Sequence, residues 1–209
     1  KGYEIGSVGT VMPDLEVKIG ENNEILLRGK TITTGYYKKP EATAAAIDKD
    51  GWFHTGDAGY LKGNHLYLTE RIKDLFKTSN GKYISPQALE TKLSIDRYID
   101  QIAVIADQRK FVSALIVPVY GLVKNYAKEK GLEYKDMTDL LQHPKVQALF
   151  RARIDTLQQQ FAHYEQVKRF TLLSEPFSME RGELTNTLKL KRSVVAKNYK
   201  ELIDKMYEE

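Results

Sequence analysis

The stretch R-I-K-D-L-F-K-T-S-N-G-K-Y-I-S-P, from Arg71 to Pro86, decides how this chain is organised. A charged cluster opens it, and the apolar pairs L-F and Y-I flank Asn80-Gly81 as two short strand-like runs. Asn-Gly between two such runs is a strong hairpin signal, because both central residues of the turn take a positive φ. Ser85 and Pro86 then suit the N-cap and the first residue of a helix. We therefore expect a charged joint and a tight hairpin between two separate bodies.

Composition limits the classes of protein to which the chain can belong. Its 209 residues suit one large or two small domains, and its 42% hydrophobic and 29% charged content is typical of globular proteins. No run approaches the roughly 20 apolar residues that span a bilayer. The absence of cysteine excludes disulfides and thiolate-bound metals and fits a cytoplasmic protein. The net charge of +4 fits an ordinary solvated surface, or alternatively a preference for anionic ligands.

The residues before the joint are rich in short β-leaning runs. These runs are Val8 to Val11, Leu15 to Ile19 and Ile25 to Arg28, and turn residues separate them. Strands this short with close turns predict a small barrel or a twisted sheet. Pro40 then opens a predicted helix at Ala42 to Ile47, where alanine is abundant.

A second hairpin is predicted just before the joint. Gly51 to Asp57 and Leu66 to Thr69 lie on either side of a turn at Lys62-Gly63-Asn64. Counting outward from this turn, Asp57 falls roughly opposite Glu70 and Arg71. The pattern therefore places a carboxylate and a guanidinium side by side.

The residues after the joint mix helices and strands. Gln87 to Leu93 is predicted to be helical and is followed by strands at Gln101 to Ala106 and Val112 to Val117. Further helices are predicted at 119–130, 144–162 and 193–207, with a strand at Val167 to Leu173. The predicted fold class is α+β: a β-rich part at residues 1–72, then a small α+β domain at residues 73–209.

Three stretches resemble one family when they are taken together. G-W-F-H-T-G-D-A-G (51–59), the joint itself (71–86) and L-T-N-T-L-K-L-K-R (184–192) are similar to the last three core motifs of adenylate-forming enzymes. These are the acyl-CoA synthetases, the luciferases and the adenylation domains of peptide synthetases. T-L-K-L-K-R, where many relatives carry Ser-Gly-Lys, looks most like long-chain fatty acyl-CoA synthetases. The insertion-like segment at about 131–163, the opening G-S-V-G-T-V-M-P-D-L-E-V-K-I and G-Y-Y-K-K-P-E-A-T (35–43) are also similar to that family.

The resemblance implies an incomplete enzyme. The family's phosphate loop, its acyl pocket and its Tyr-Gly-x-Thr-Glu stretch belong upstream and do not occur in these 209 residues. Residues 1–72 would then be the β-rich end of the large adenylation domain, and residues 73–209 the mobile C-terminal domain. We expect the isolated fragment to be inactive, because its nucleotide site has only one wall.

The resemblance assigns nucleotide binding to the second hairpin. Asp57 would hold the ribose hydroxyls of ATP, and Arg71 would donate to the ribose or to phosphate oxygens. The plain alternatives are a surface aspartate after a turn and a simple salt bridge between the two side chains. Trp52 and His54 are interpreted as packing residues.

Lys189 is the predicted catalytic residue. Adenylation crowds negative charge around the α-phosphorus, and a lysine can attract both the substrate carboxylate and the phosphate oxygens. The alternative is one more solvated lysine, since residues 186–200 carry five lysines or arginines and no acid. Lys191 and Arg192 are the nearest rivals for the role.

Two further residues are given roles in domain movement and acyl transfer. Lys73 matches the family's hinge position, where a backbone change swings one domain over the other. Gly81 would lie at the pantetheine channel of coenzyme A, because a residue without Cβ lets a ligand pass close to the backbone. A plain surface lysine and simple turn geometry are the alternatives.

The implied reaction joins a fatty acid to coenzyme A with ATP, and Mg²⁺ would be held by ATP and by residues upstream. No metal ligand and no nucleic-acid partner are expected here, and the location is expected to be cytoplasmic, with peripheral membrane association of the parent left open. One alternative is transfer to the pantetheine of a carrier protein. Another is a non-catalytic basic module that binds nucleic acid or anionic lipid through residues 186–200. Neither acyl chain length nor oligomeric state is indicated.

Overall fold

A computed structural model describes residues 4–208, except for the side chains of Glu70 and Lys73. It divides into two compact units, the first ending at Leu75 and the second beginning at Phe76. The predicted boundary lay between residues 72 and 73. That the second unit moves as a body remains a prediction.

The first unit is an antiparallel sheet of five strands in the order β1-β5-β4-β3-β2. The strands are β1 (Gly9–Thr10), β2 (Leu15–Ile19), β3 (Glu24–Gly29), β4 (Phe53–Lys62) and β5 (His65–Arg71). Within the described residues β1 and β2 form the two edges, so the sheet is open. One helix, α1 (Pro40–Ala46), carries its proline in the first turn, as predicted.

The second unit is built on a three-stranded sheet. β8 (Ile99–Ile105) pairs antiparallel with β9 (Val112–Pro118), and β9 pairs parallel with β10 (Val167–Leu172). A small hairpin, β6 (Phe76–Lys77) and β7 (Tyr83–Ile84), precedes this sheet. The helices are α2 (Pro86–Leu93), α3 (Tyr120–Glu129), α4 (Met137–Gln142), α5 (Pro144–Leu157), α6 (Arg192–Asn198) and α7 (Lys200–Lys205).

The central strand β9 is buried along its whole length. Successive side chains of a strand point to opposite faces. Val112, Ala114 and Ile116 accordingly join a core cluster that includes residues of α2 to α5. Leu115 and Val117 join a second cluster that includes residues of α6 and α7. The predicted α+β class is confirmed, with the core of this unit lying on both faces of one sheet.

Two predicted helices differ from the observed ones. The helix expected at 144–162 ends at Leu157, and Phe161 packs against the core from outside it. The helix expected at 193–207 is interrupted at Tyr199, which leaves the helical region with φ −106° and ψ 21°. There the Tyr199 ring packs edge-on against Phe177, with ring centroids 5.7 Å apart. In the sequence, the helical spacing of apolar residues continues past Leu157 and past Tyr199, so it could not indicate that the helices end there.

Candidate functional site

Asp57 and Arg71 are brought together by the hairpin of β4 and β5. Lys62 pairs with His65 at the turn, and Asp57, five residues before Lys62, pairs with Arg71, six residues after His65. The Arg71 Nε lies 3.1 Å from the Asp57 Oδ1, as an ion pair. The Asp57 side chain is 31% exposed and that of Arg71 is 72% exposed. The predicted neighbourhood of a carboxylate and a guanidinium is therefore present, and both groups are open to a ligand.

The segment that carries Asp57 is held by an acid that the sequence analysis missed. The Glu24 carboxylate lies 2.8 Å from the His54 Nδ1 and accepts a 3.0 Å bond from the Gly56 N–H. The Thr55 hydroxyl accepts from the Asp57 N–H at 3.1 Å and donates to the carbonyl of Ile25 at 2.7 Å. His54 thus contributes to the framework of this site. No local signal marks Glu24, because it lies 30 residues before its partner.

The joint after Arg71 is a short 3-10 turn at Ile72–Asp74. The Leu75 N–H closes it on the carbonyl of Ile72 at 3.2 Å. Lys73 is the middle residue of this turn, and its side chain lies outside what the structure describes. The hinge role of Lys73 remains a prediction.

Gly81 lies in a loop of five residues, T-S-N-G-K, between β6 and β7. The Thr78 N–H donates to the carbonyl of Lys82 at 2.9 Å, and the Gly81 N–H donates to the carbonyl of Thr78 at 2.9 Å. Gly81 has a φ of 75°, whereas Asn80 is not among the residues with positive φ. The predicted two-residue Asn-Gly turn is therefore wrong. The longer loop forms because the Thr78 hydroxyl accepts the Lys82 N–H at 3.1 Å. A Cβ added at Gly81 would meet nothing within 4 Å.

Lys189 lies in a second loop of the same design, T-N-T-L-K. The Thr185 N–H donates to the carbonyl of Lys189 at 2.8 Å, and the Thr185 hydroxyl accepts from the Lys189 N–H at 3.0 Å. The Leu188 N–H donates to the carbonyl of Thr185 at 2.9 Å, as Gly81 does to Thr78 in the first loop. Leu188 has a φ of 59°, so a leucine occupies the conformation that glycine holds in the other loop. The backbone of Lys189 is fixed, while its residue is exposed.

Arg192, one of the two rivals of Lys189, differs from it in having an acidic partner, whereas Lys191 also forms no ion pair among the described residues. The Arg192 guanidinium makes two 2.6 Å bonds to the two carboxylate oxygens of Glu90. Glu90 also accepts the Val104 N–H at 2.8 Å, which ties Arg192 to the sheet. Lys200, also in the basic run, pairs with Asp204 at 2.9 Å. No acid forms an ion pair with Lys189 among the described residues, so its charge is available to a ligand.

Residues 4–208 contain neither a cluster of metal ligands nor a helix that could span a membrane. No three carboxylate, imidazole or thiol side chains in this part of the chain are grouped so that they could hold a metal ion. None of the helices described there has both the length and the apolar composition that crossing a bilayer requires.

The predicted ligand-binding residues thus lie on two strands of the first unit and two loops of the second. Asp57 and Arg71 belong to the first unit, and Gly81 and Lys189 belong to the second.

Comparison with known proteins adds independent information. Residues 73–209 match the family model described as "AMP-binding enzyme C-terminal domain". The chain is 34% identical over 98% of its length to long chain acyl-CoA synthetase 6, peroxisomal, of Arabidopsis thaliana, of which it covers 32%. It is 32% identical over 98% of its length to long-chain-fatty-acid–CoA ligase FadD15 of Mycobacterium tuberculosis, of which it covers 34%. The chain therefore spans about a third of the length of these curated relatives.

A solved structure with a similar fold is the A-PCP didomain of a carboxylic acid reductase from Segniliparus rugosus in complex with AMP. The two share 26% sequence identity with a TM-score of 0.66, over 88% of this chain and 24% of the other.

Proposed function

The chain belongs to the AMP-binding, adenylate-forming enzymes, and we propose that it is the C-terminal part of a long-chain fatty acid–CoA ligase. The parent enzyme forms an acyl-adenylate from a fatty acid and ATP and releases pyrophosphate. The thiol of coenzyme A then attacks the acyl carbonyl, which gives the thioester and releases AMP. The names of both curated relatives support this substrate class.

In this proposal Asp57 and Arg71 hold the nucleotide. The Asp57 carboxylate accepts hydrogen bonds from the two ribose hydroxyls, since it has two acceptor oxygens and is partly exposed. Arg71 contacts the ribose or a phosphate oxygen, and its high exposure leaves most of its donors free. The ion pair between them holds both groups ready before the nucleotide arrives.

Lys189 stabilises the transition state of adenylation. Its ammonium attracts the carboxylate that attacks and the α-phosphate that is attacked. One observation carries this proposal: an exposed lysine with no ion-pair partner among the described residues, on a loop whose backbone is fixed by paired hydrogen bonds. A charge held in this way needs little reorganisation when the reaction occurs.

Lys73 is proposed as the hinge between two working arrangements of the units. One arrangement presents the Lys189 loop to ATP, and the other presents the hairpin of Gly81 to the thiol of coenzyme A. The open space at the Cβ position of Gly81 supports the second role, because a pantetheine chain needs room there.

The Mg²⁺ of the reaction is expected to take its ligands from ATP rather than from side chains of this chain. The described residues offer no grouped set of metal ligands, and in this proposal the ion is held by the ATP phosphates and by upstream residues. We propose a cytoplasmic location for the parent, with peripheral contact with a membrane. We also propose that these 209 residues alone make no acyl-CoA.

The test uses the full-length parent and measures ATP–pyrophosphate exchange that depends on a long-chain fatty acid. Lys189→Ala is expected to lower the exchange rate by about 10²–10³-fold, because one electrostatic contact to the transition state is lost. Lys191→Ala is the matched control, since it removes an exposed lysine two positions away. Exchange that survives Lys189→Ala, or that falls equally in both variants, would contradict the proposal.

A second acceptor is supported by one finding, the similarity to an A-PCP didomain of a carboxylic acid reductase. In this version the acyl-adenylate passes to the pantetheine of a carrier protein. Assays of the parent with free coenzyme A and with a pantetheine-loaded carrier protein separate the two. The names of the curated relatives favour free coenzyme A.

The non-catalytic alternative, a basic module for nucleic acid or anionic lipid, is weakened by the pairing of its charges. Of the five basic residues between Asn186 and Lys200, Arg192 and Lys200 are neutralised by Glu90 and Asp204. Steeply salt-dependent DNA binding, with exchange unaffected by Lys189→Ala, would favour this alternative.

A further inference from the structure

A fully buried carboxylate lies at the base of the loop that carries Lys189. Glu183 is 0% exposed, among a core that is otherwise almost entirely apolar. Burying a charge is costly unless it is paired and hydrogen-bonded. The carboxylate must therefore be satisfied by neighbours, and the identity of those neighbours indicates what it organises.

Three residues donate to the two oxygens of Glu183. The Ser178 N–H donates to Oε2 at 3.0 Å, and the Asn198 side-chain amide of α6 donates to Oε1 at 3.1 Å. The Arg181 Nε donates to Oε1 at 3.1 Å, and another of its nitrogens lies 3.0 Å from Oε2. Burial raises the pKa of Glu183, but the bonds from Arg181, Ser178 and Asn198 outweigh burial and leave the pKa below its ordinary value. Glu183 is therefore an ionised carboxylate that joins the segment before the loop, at Ser178 and Arg181, to Asn198 of α6.

The backbone of the same residue closes the loop. The carbonyl of Glu183 accepts the Lys191 N–H at 2.8 Å, and Leu184 bridges Leu190 one step further toward the tip. The C-terminal end of the loop is held by a different ion pair, because Arg192 is bonded to Glu90. Both ends of the Lys189 loop are thus attached by buried or half-buried ion pairs.

We propose that Glu183 is a positioning residue for adenylation, holding the base of the 184–190 loop so that Lys189 is presented in one orientation. This rests on the proposed function of Lys189. A buried ion pair is in general a weak source of stability, and in some proteins its contribution is instead to specify one conformation. Thioester formation, which the proposed function assigns to the other hairpin, does not use the Lys189 loop and is not affected.

Glu183→Gln is the informative change. A glutamine has nearly the same shape, but it has one acceptor oxygen in place of two and adds an N–H₂ group. Either Ser178 or Asn198 then loses its acceptor, and Arg181 keeps only one of the two oxygens it contacts. The loop base becomes free to shift while the apolar core around it keeps its volume.

The experiment uses the full-length parent and measures the two half reactions separately. ATP–pyrophosphate exchange with a saturated long-chain fatty acid reports adenylation, and thiolysis of a synthetic acyl-adenylate by coenzyme A reports transfer. Glu183→Gln is expected to lower the kcat of exchange about 10–100-fold, with KM for ATP and the rate of thiolysis within about 2-fold. A purely structural role would lower both half reactions together.

Asp96→Asn is the matched control. Asp96 is also a buried carboxylate bonded to an arginine, with the Arg153 Nε at 2.7 Å, and it accepts the Tyr98 N–H at 2.8 Å. It lies between α2 and β8 and is not part of the loop. Both half reactions should stay within about 2-fold in this variant, because only general stability is perturbed.

Asn198→Ala keeps the proposal testable if Glu183→Gln fails to fold. Asn198 is exposed, so its truncation removes one bond to Glu183 with little loss of packing. Exchange should fall about 3–5-fold with thiolysis unchanged. If a folded Glu183→Gln exchanges at the wild-type rate while Lys189→Ala does not, the positioning role is wrong and the proposed function stands. Unchanged exchange in Lys189→Ala overturns both.

Discussion

Leu188 offers the sharpest test of the geometry around Lys189. It has a φ of 59°, in the same position of its loop where Gly81, with a φ of 75°, completes the other loop. A side chain with Cβ is strained in this region, and glycine is not. Leu188→Gly should therefore remove the strain while both hydrogen bonds between Thr185 and Lys189 are kept.

Two contributions decide the size of the effect. Relief of the left-handed conformation contributes roughly 1 kcal/mol in favour of glycine over any residue with Cβ. Leu188 is 67% exposed, so about a third of a leucine's burial energy is lost, on the order of 0.5–1 kcal/mol. Leu188→Ala loses the same packing but keeps the strain. We expect Leu188→Gly to match the wild-type free energy of unfolding within about 0.5 kcal/mol and to exceed Leu188→Ala by roughly 1 kcal/mol.

Thermal unfolding followed by circular dichroism measures this difference. Six of the seven α-helices in the described residues lie in the second unit, whereas the single tryptophan, Trp52, lies in the first. Helix loss therefore reports the unit that contains Leu188, and Trp52 fluorescence is an internal control that should not change. A difference of roughly 1 kcal/mol corresponds to about 3–5 °C in Tm. If Leu188→Ala is as stable as Leu188→Gly, the loop is not strained and the reasoning fails.

Three further outcomes are expected. Gly81→Ala should destabilise the second unit by roughly 1 kcal/mol, because its φ of 75° disfavours Cβ, and urea unfolding with Ser79→Ala as control measures it. Asp57→Asn in the parent should raise KM for ATP at least about 10-fold with fatty-acid KM unchanged, because the carboxylate loses its charge; an unchanged KM for ATP would contradict the ribose role. The lowered pKa of Glu183 means that its stabilisation is present above about pH 4.5 and is lost as the pH falls through the folded-state pKa. Urea midpoints should therefore fall less steeply with acid in Glu183→Gln than in wild type, and parallel curves would refute this.

The parts of the site that are set by residues close together in the chain could be predicted from the sequence. Counting residues from the hairpin turn was enough to place Asp57 beside Glu70 and Arg71, and a register shift between Ala58 and Gly59 makes Arg71 the partner. Ser85 caps α2 through the Ala88 N–H at 3.2 Å, as the Ser-Pro pair indicated. Both features are set by local rules that hold in any protein.

The partners of the site residues could not be predicted in the same way. Glu90 meets Arg192 across 102 positions, and nothing in either local sequence selects the other. The Asn80-Gly81 turn failed for a different reason. A threonine hydroxyl two residues upstream offered a longer loop that competes with the two-residue turn.

The parallel pairing of β9 with β10 has a consequence for how the chain folds. Residues 119–166, which hold three helices, separate the two strands in sequence, so their pairing closes a long loop. The face of β9 that carries Leu115 and Val117 is covered by Val195 and Ile203. These two residues lie near the end of the chain, so this face is buried only after they have been synthesised. A nascent or truncated chain that ends before α6 would show this apolar strand face to chaperones and proteases, and so would be a target for quality control.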